Sequence, residues 1–170
     1  MKNKIILFVL SSFLVIGIII YKNNKGNIDQ VPLLNEPISE NISIEEYLNN
    51  NILKPEYGGK VFCVFNKYGS EETNNQISYY LWVYCEEYYK KNEDVLIGSG
   101  VSMPVRLNAT KNENRIEIEN FQQPIDGEGY SKSIKDMFPE GYAKTAINGF
   151  DISKLSENPK AKAYEFYKAQ

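Results

Sequence analysis

Residues Ile77 to Tyr89, ISYYLWVYCEEYY, constrain the fold more than any other part of the chain. They alternate between two faces, with Ile77, Tyr79, Leu81, Val83 and Cys85 on one and Tyr80, Trp82, Tyr84, Glu86 and Tyr88 on the other, because successive strand side chains project to opposite sides of a sheet. A strand this long and aromatic needs neighbours on both edges, since alone it exposes a sticky face that invites aggregation.

The neighbours are legible too. Lys60 to Tyr68, KVFCVFNKY, reads as a strand with both faces partly apolar, followed by a polar loop SEETNN. After a tighter loop over Lys90 to Asp94, residues Val101, Met103, Val105, Leu107 and Ala109 alternate with polar ones as in a half-buried antiparallel strand. Pro104 favours an edge or a bulge there, because it donates nothing to a ladder. Arg115 to Phe121 supplies a fourth strand after the KNEN turn. Short links predict a meander. Ser43 and Glu46 have capping-box spacing, and Ile44, Tyr47, Leu48 and Ile52 recur on one face, which predicts a helix from Ile44 to about Leu53 over the meander's apolar face.

Beyond Pro124 the pattern becomes helical. Ser131 is the expected cap of a short helix with Ile134, Met137 and Phe138 on its buried edge, stopped by Pro139, and Tyr142 to Ile147 is a second helical piece. Two more helical stretches split by Pro159 come next, in a tail polar enough to be expected outside the core.

The N-terminus bounds location. Ile5 to Tyr21 is an uncharged apolar run between Lys2 and Lys4 on one side and Lys22 and Lys25 on the other. At about 1.5 Å per residue it reaches roughly 25 Å, close to a bilayer core once the flanking lysines snorkel. Residues 1–22 are therefore expected to be a transmembrane signal anchor contacting membrane lipid through residues 5–21. A cleaved signal and a secreted product is the alternative. Flanking charge places the N-terminus in the cytoplasm and the remainder outside. Residues 23–40, with Pro32 and Pro37, read as a flexible stalk, 41–139 as the α+β domain, and 140–170 as a helical tail.

Composition excludes more chemistry than it permits. There is no histidine, so the usual general base, the Ser-His and Cys-His pairs and the commonest metal ligand are missing. Net charge is −3, and Arg106 and Arg115 are the only arginines, so nothing suggests nucleic acid. No metal or cofactor is expected. Glu71-Glu72, Glu86-Glu87, Glu93-Asp94 and Asp126 with Glu128 read as solvated surface, since neighbouring strand residues face opposite ways and no calcium-loop spacing is present. Cys63 and Cys85, the only cysteines, face each other across adjacent strands if the connecting loop is Thr73 to Asn75; a register two residues different makes them small core side chains opposite valines. The residues alone leave both readings open.

Tyr80, Trp82, Tyr84 and Tyr88, beside Arg106 of the next strand, form the candidate recognition face, since Tyr, Trp and Arg dominate interface hot spots. The alternative is that the C-terminal helices cover it.

Val61-Phe62-Cys63, Tyr80-Leu81-Trp82, Glu87-Tyr88-Tyr89, Gly98-Ser99-Gly100, Pro104-Val105, Asp126-Gly127, Tyr130-Ser131 and Phe138-Pro139 together resemble a group of small uncharacterised extracytoplasmic proteins of Gram-positive bacteria, often lipoproteins. The resemblance covers Val61 to Pro139, includes no catalytic signature, and implies a bacterial, extracytoplasmic setting. This chain lacks a lipid-accepting cysteine at the end of its apolar run. A helix across a curved meander is also similar in shape to cystatin-like and NTF2-like folds. The expectation is a membrane-anchored extracytoplasmic binding or accessory domain with a protein or envelope partner. A carboxylate-dependent extracytoplasmic enzyme and a passive envelope-associated structural protein are the alternatives.

Overall fold

The computed structural model describes residues 39–113 and 115–169. The expected anchor, and the stalk up to residue 38, lie outside the described residues. Among those described, no helix is long and apolar enough to cross a membrane.

Four antiparallel strands, β1 (Lys60–Thr73), β2 (Gln76–Lys91), β3 (Asp94–Asn112) and β4 (Arg115–Gln122), lie in the order β1-β2-β3-β4 as a meander. The links are tighter than the polar loops the sequence implies. β1 runs on through Glu72 and Thr73, and only Asn74-Asn75 separates it from β2; Asn92-Glu93 does the same between β2 and β3. Asn74 and Asn92 sit at φ 56° and 57°, in the left-handed region that asparagine tolerates and tight hairpins require.

A two-residue turn imposes a register, and here that register is wrong for the cysteines. Continued unbroken from Thr73↔Gln76, it sets Cys63 opposite Glu86, on the other face. Tyr68 corrects it. The pairing steps from Gly69↔Tyr80 to Lys67↔Leu81, leaving Tyr68 as an unpaired bulge residue, and from there Cys63 falls opposite Cys85. The two are joined, with S–S 2.16 Å and Cα–Cα 4.1 Å. The bulge turns the Tyr68 ring edge-on to Phe138 at 6.4 Å, and a Cβ on the adjacent Gly69 would fall 2.2 Å from the Tyr142 hydroxyl.

The helix on the first face is α1 (Glu40–Asn51). It starts four residues before the predicted Ile44, because the Ser39 side chain already accepts from the Ile42 N–H at 3.4 Å and so supplies the cap. Ile44 and Leu48 pack on Ile77, Tyr79, Leu81, Val83, Cys85, Val105, Leu107 and Ala109. The Asn49 carboxamide oxygen accepts from the Cys63 N–H at 2.6 Å, fixing α1 along β1.

The chain beyond β4 covers the second face. A 3-10 turn (Gly127–Gly129) leads into α2 (Tyr130–Met137), and Pro139 stops that helix and caps α3 (Glu140–Ile147). α4 (Pro159–Lys168) begins on a proline after Asn158, whose side chain accepts from the Lys160 N–H at 2.8 Å. The expectation of a tail outside the core is corrected. Pro159 and Ala163 are buried, and Ala163 packs with Phe62 and Tyr88. Lys162 pairs with Glu45 of α1 at 2.6 Å and with Glu157. Polarity misled because α4 meets the sheet through few residues, Ala163, Phe166 and the Tyr167 hydroxyl, while its lysines bridge or face water.

Since the bridge closes a loop of sequence separation 22, Cys63→Ala with Cys85→Ala is expected to destabilise the domain by about 3 kcal/mol and to lower the urea midpoint by about 1–2 M, read from tryptophan fluorescence.

Candidate functional site

The five residues expected to form a recognition face are not equally available. Tyr80 is buried among Ile134, Phe138, Ala143 and Ala146 of α2, α3 and their junction, and its hydroxyl donates to Glu71 at 2.8 Å. Trp82 is buried, stacked on Phe150 at 6.3 Å, with its indole N–H donated to the Ser102 hydroxyl at 3.0 Å. Tyr88 is buried under α4. An open aromatic face is therefore corrected to a closed one, because the chain's own helices remove these rings from water, the larger gain for so apolar a surface. Arg106 is half-buried opposite Tyr80, donating to the Ser78 hydroxyl at 3.0 Å, whereas Tyr84 stands opposite Ser102 further along the strand. The structure does not bring Arg106 and Tyr84 into one constellation.

Tyr84 remains half-exposed at the wall of a groove of about 380 Å³, where the α3–α4 connection crosses β2 and β3. Glu86 organises the groove. One of its carboxylate oxygens accepts from the Tyr84 hydroxyl at 2.6 Å and the other from Tyr88 at 2.5 Å. Burial, then the hydrogen bond to Glu86 and its charge, pushes the Tyr84 hydroxyl up to about 12, and the same causes raise Tyr88. Both phenols keep their protons at neutral pH and act as donors, not nucleophiles. Ile97 and Ile152, exposed by 53% and 42%, line the groove with Lys160. Aliphatic walls around a few fixed polar groups suit recognition of a small ligand or a peptide side chain. A larger hollow of about 640 Å³ between α2 and α3 is lined by the exposed Ser131, Lys135, Glu140, Lys144 and Asn148 together with Ala143 and Ile147. The Tyr84 groove is the better-built of the two.

Glu87 is the residue that the sequence reading misplaced. Expected on the solvated surface, it is fully buried. Its carboxylate accepts from the backbone N–H groups of Glu56, Tyr57 and Gly59 at 2.9, 2.8 and 2.9 Å and from the Ser99 hydroxyl at 2.9 Å. Burial pushes the carboxyl up, but the N–H groups of Glu56, Gly59 and Tyr57 and the Ser99 hydroxyl outweigh it and hold the group at about 2. Gly98 leaves room, since a Cβ there would sit 2.8 Å from the carboxylate. The segment before β1 is thereby pinned to the sheet, and Tyr57, 60% exposed, lies stacked on Tyr89 at 5.3 Å. Strand parity carried the signal: Glu87 continues the inward face that ends at Cys85.

Among the described residues, no group of three or more His, Cys, Asp or Glu is placed to hold a metal ion. Compared with protein-family models, curated proteins and solved structures, the chain matches none.

The Glu87 carboxyl lies below its unfolded value of 4.5, so its stabilisation is complete above that pH and is lost as pH falls from 4.5 towards 2. Glu87→Gln is expected to cost about 3 kcal/mol at neutral pH. The gap to the parent protein should close through that acidic window in urea titrations, and a gap independent of pH contradicts the assignment.

Proposed function

We propose that this chain is a membrane-anchored extracytoplasmic domain that binds a ligand or envelope partner without catalysis, and that the groove beside Tyr84 receives it. The observation that carries the reading is the groove itself, in which the half-exposed Tyr84 and the Glu86 carboxylate that its hydroxyl donates to stand beside aliphatic walls open to solvent. In this reading Tyr80, Trp82 and Tyr88 are the packed support that holds Tyr84 in place, and Arg106 braces the neighbouring strand.

Location is supported separately. Residues 1–22 act as a single-pass anchor with a cytoplasmic N-terminus, and residues 23–40 link it to the domain, ending on the first residue of α1. The Cys63–Cys85 bridge supports an oxidising compartment, where disulfides persist. The resemblance to Gram-positive extracytoplasmic proteins over Val61 to Pro139 supports the same setting. A cystatin-like or NTF2-like shape is part of this proposal, drawn from one helix laid across a meander, and lends no function. One observation favours the passive structural reading: most of the aromatic face is spent on internal packing.

Two readouts on intact bacteria expressing the full chain separate these readings. A membrane-impermeant amine reagent should label the exposed Lys90 and Lys111 without lysis, and labelling only after lysis contradicts the location. A photo-reactive residue at position 152 should give one adduct of defined size that Tyr84→Ala abolishes. A passive protein gives no adduct, or one indifferent to Tyr84.

A further inference from the structure

The two edges of the sheet are finished differently. At the β1 edge, α1 and α4 meet: the Asn49 side chain accepts from the Cys63 N–H at 2.6 Å, and the Glu45–Lys162 ion pair stands beside Val64 and Phe65. β1 also carries Lys60, Lys67, Glu71 and Glu72. These are the devices that keep an edge from pairing with another chain.

The opposite edge lacks most of them. β4 pairs with β3 only from Arg106↔Gln122 to Asn112↔Arg115, so among the described residues β3 from Val95 to Val105 has no strand on its outer side. That stretch, VLIGSGVSMPV, contains no charged residue. Pro104 shows which of its groups point outward. It pairs with Trp82 in an otherwise regular stretch of ladder, and having no N–H it belongs to a non-hydrogen-bonded pair with β2. By alternation the N–H and C=O groups of Ser102 and Gly100 also face the open edge. Among the described residues neither N–H donates to a group outside the strand ladder, and both residues are exposed. Leu96 and Ile97 stand exposed at the same margin. Among the described residues, the bulge between the pairs Glu86↔Gly100 and Tyr88↔Ile97 and Pro104 itself are the edge-blunting features, and they bracket the open donors without covering them.

We propose that this stretch of β3 pairs antiparallel with the same stretch of a second copy, joining two four-stranded sheets into one. The shape and charge of the window determine the occupant. It is bounded by the Asn92-Glu93 turn at one end and by Gln122 of β4 at the other. A two-fold arrangement brings each copy's turn to the other's β4 end, so the two windows end together. Because the window is uncharged, it meets its own copy without opposing like charges. Main-chain hydrogen bonds supply the pairing, as in strand addition generally.

Ser102→Pro tests this with little collateral change, since it removes an outward donor that β2 does not use. Ser102→Ala is its control, because both variants lose the hydroxyl that accepts from Trp82 and only the proline loses the N–H. Sedimentation equilibrium of the full chain in a mild detergent should show the parent and Ser102→Ala as dimers at about 100 μM, with Ser102→Pro dissociating at least about tenfold more readily. In the parent protein, exchange of the Gly100 and Ser102 amide hydrogens should slow as concentration rises, which decides the matter even if the proline variant fails to fold. A monomeric parent, equal association of all three proteins, exchange independent of concentration, or protection that appears only on adding a foreign extended peptide would each overturn the proposal.

Discussion

The registry of β1 on β2 is the constraint on which the rest of the structure depends. A two-residue turn at Asn74-Asn75 starts the pairing in one register, and the unpaired Tyr68 shifts it by one. Every side chain of β1 below Tyr68 is thereby assigned to its face. Without the shift, Cys63 lies on the opposite side from Cys85, and Phe62 and Val64 trade places with Val61 and Phe65. With it, the cysteines meet under α1, and Phe62 joins Tyr88 beneath α4. Tyr68 itself turns towards α2 and α3, meeting Phe138.

The two faces are then closed by different means. α1 closes the first with aliphatic side chains. Where α1 ends, a buried carboxylate takes over, and Glu87 draws the Glu56–Gly59 backbone onto the sheet. The second face is closed by short helices whose small residues, Ala143, Ala146 and Ala163, let the aromatic rings of the sheet do the filling. α4 is tied to α1 by Lys162 and to β2 by the Tyr167 hydroxyl, which donates to the Tyr88 carbonyl at 2.7 Å. The groove beside Tyr84 and the outer edge of β3 stay open after this closure. Both lie towards the same end of the long β2–β3 hairpin, where β4 has already stopped.

The sequence carried the period-2 pattern of Ile77 to Tyr89, the meander and the covering helix, because alternation over so many residues has one structural reading. Single-residue events were less legible. Around Tyr68 both faces of KVFCVFNKY are partly apolar, so a slip of one residue leaves no mark in the hydrophobic pattern. The helix start moved to Ser39 because two serines offer caps and the earlier one is used. Glu87 was hidden by its charge: a glutamate beside a glutamate reads as surface, and the donors that receive it come from Glu56–Gly59 and Ser99, remote in sequence. Of the candidate site, Tyr84 kept its exposure while Tyr80, Trp82 and Tyr88 lost theirs, since periodicity identifies a face but not the elements that lie on it.

A non-reducing peptide map tests the registry most directly, on full-length chain trapped with an alkylating reagent as intact cells are lysed. One covalently linked pair of peptides containing Cys63 and Cys85 is expected, with neither cysteine alkylated until a reductant is added. Both cysteines alkylated even after the purified native protein is held in an oxidising buffer would contradict the shifted pairing of β1 with β2, whereas alkylation only in the sample trapped at lysis would contradict the proposed oxidising compartment alone.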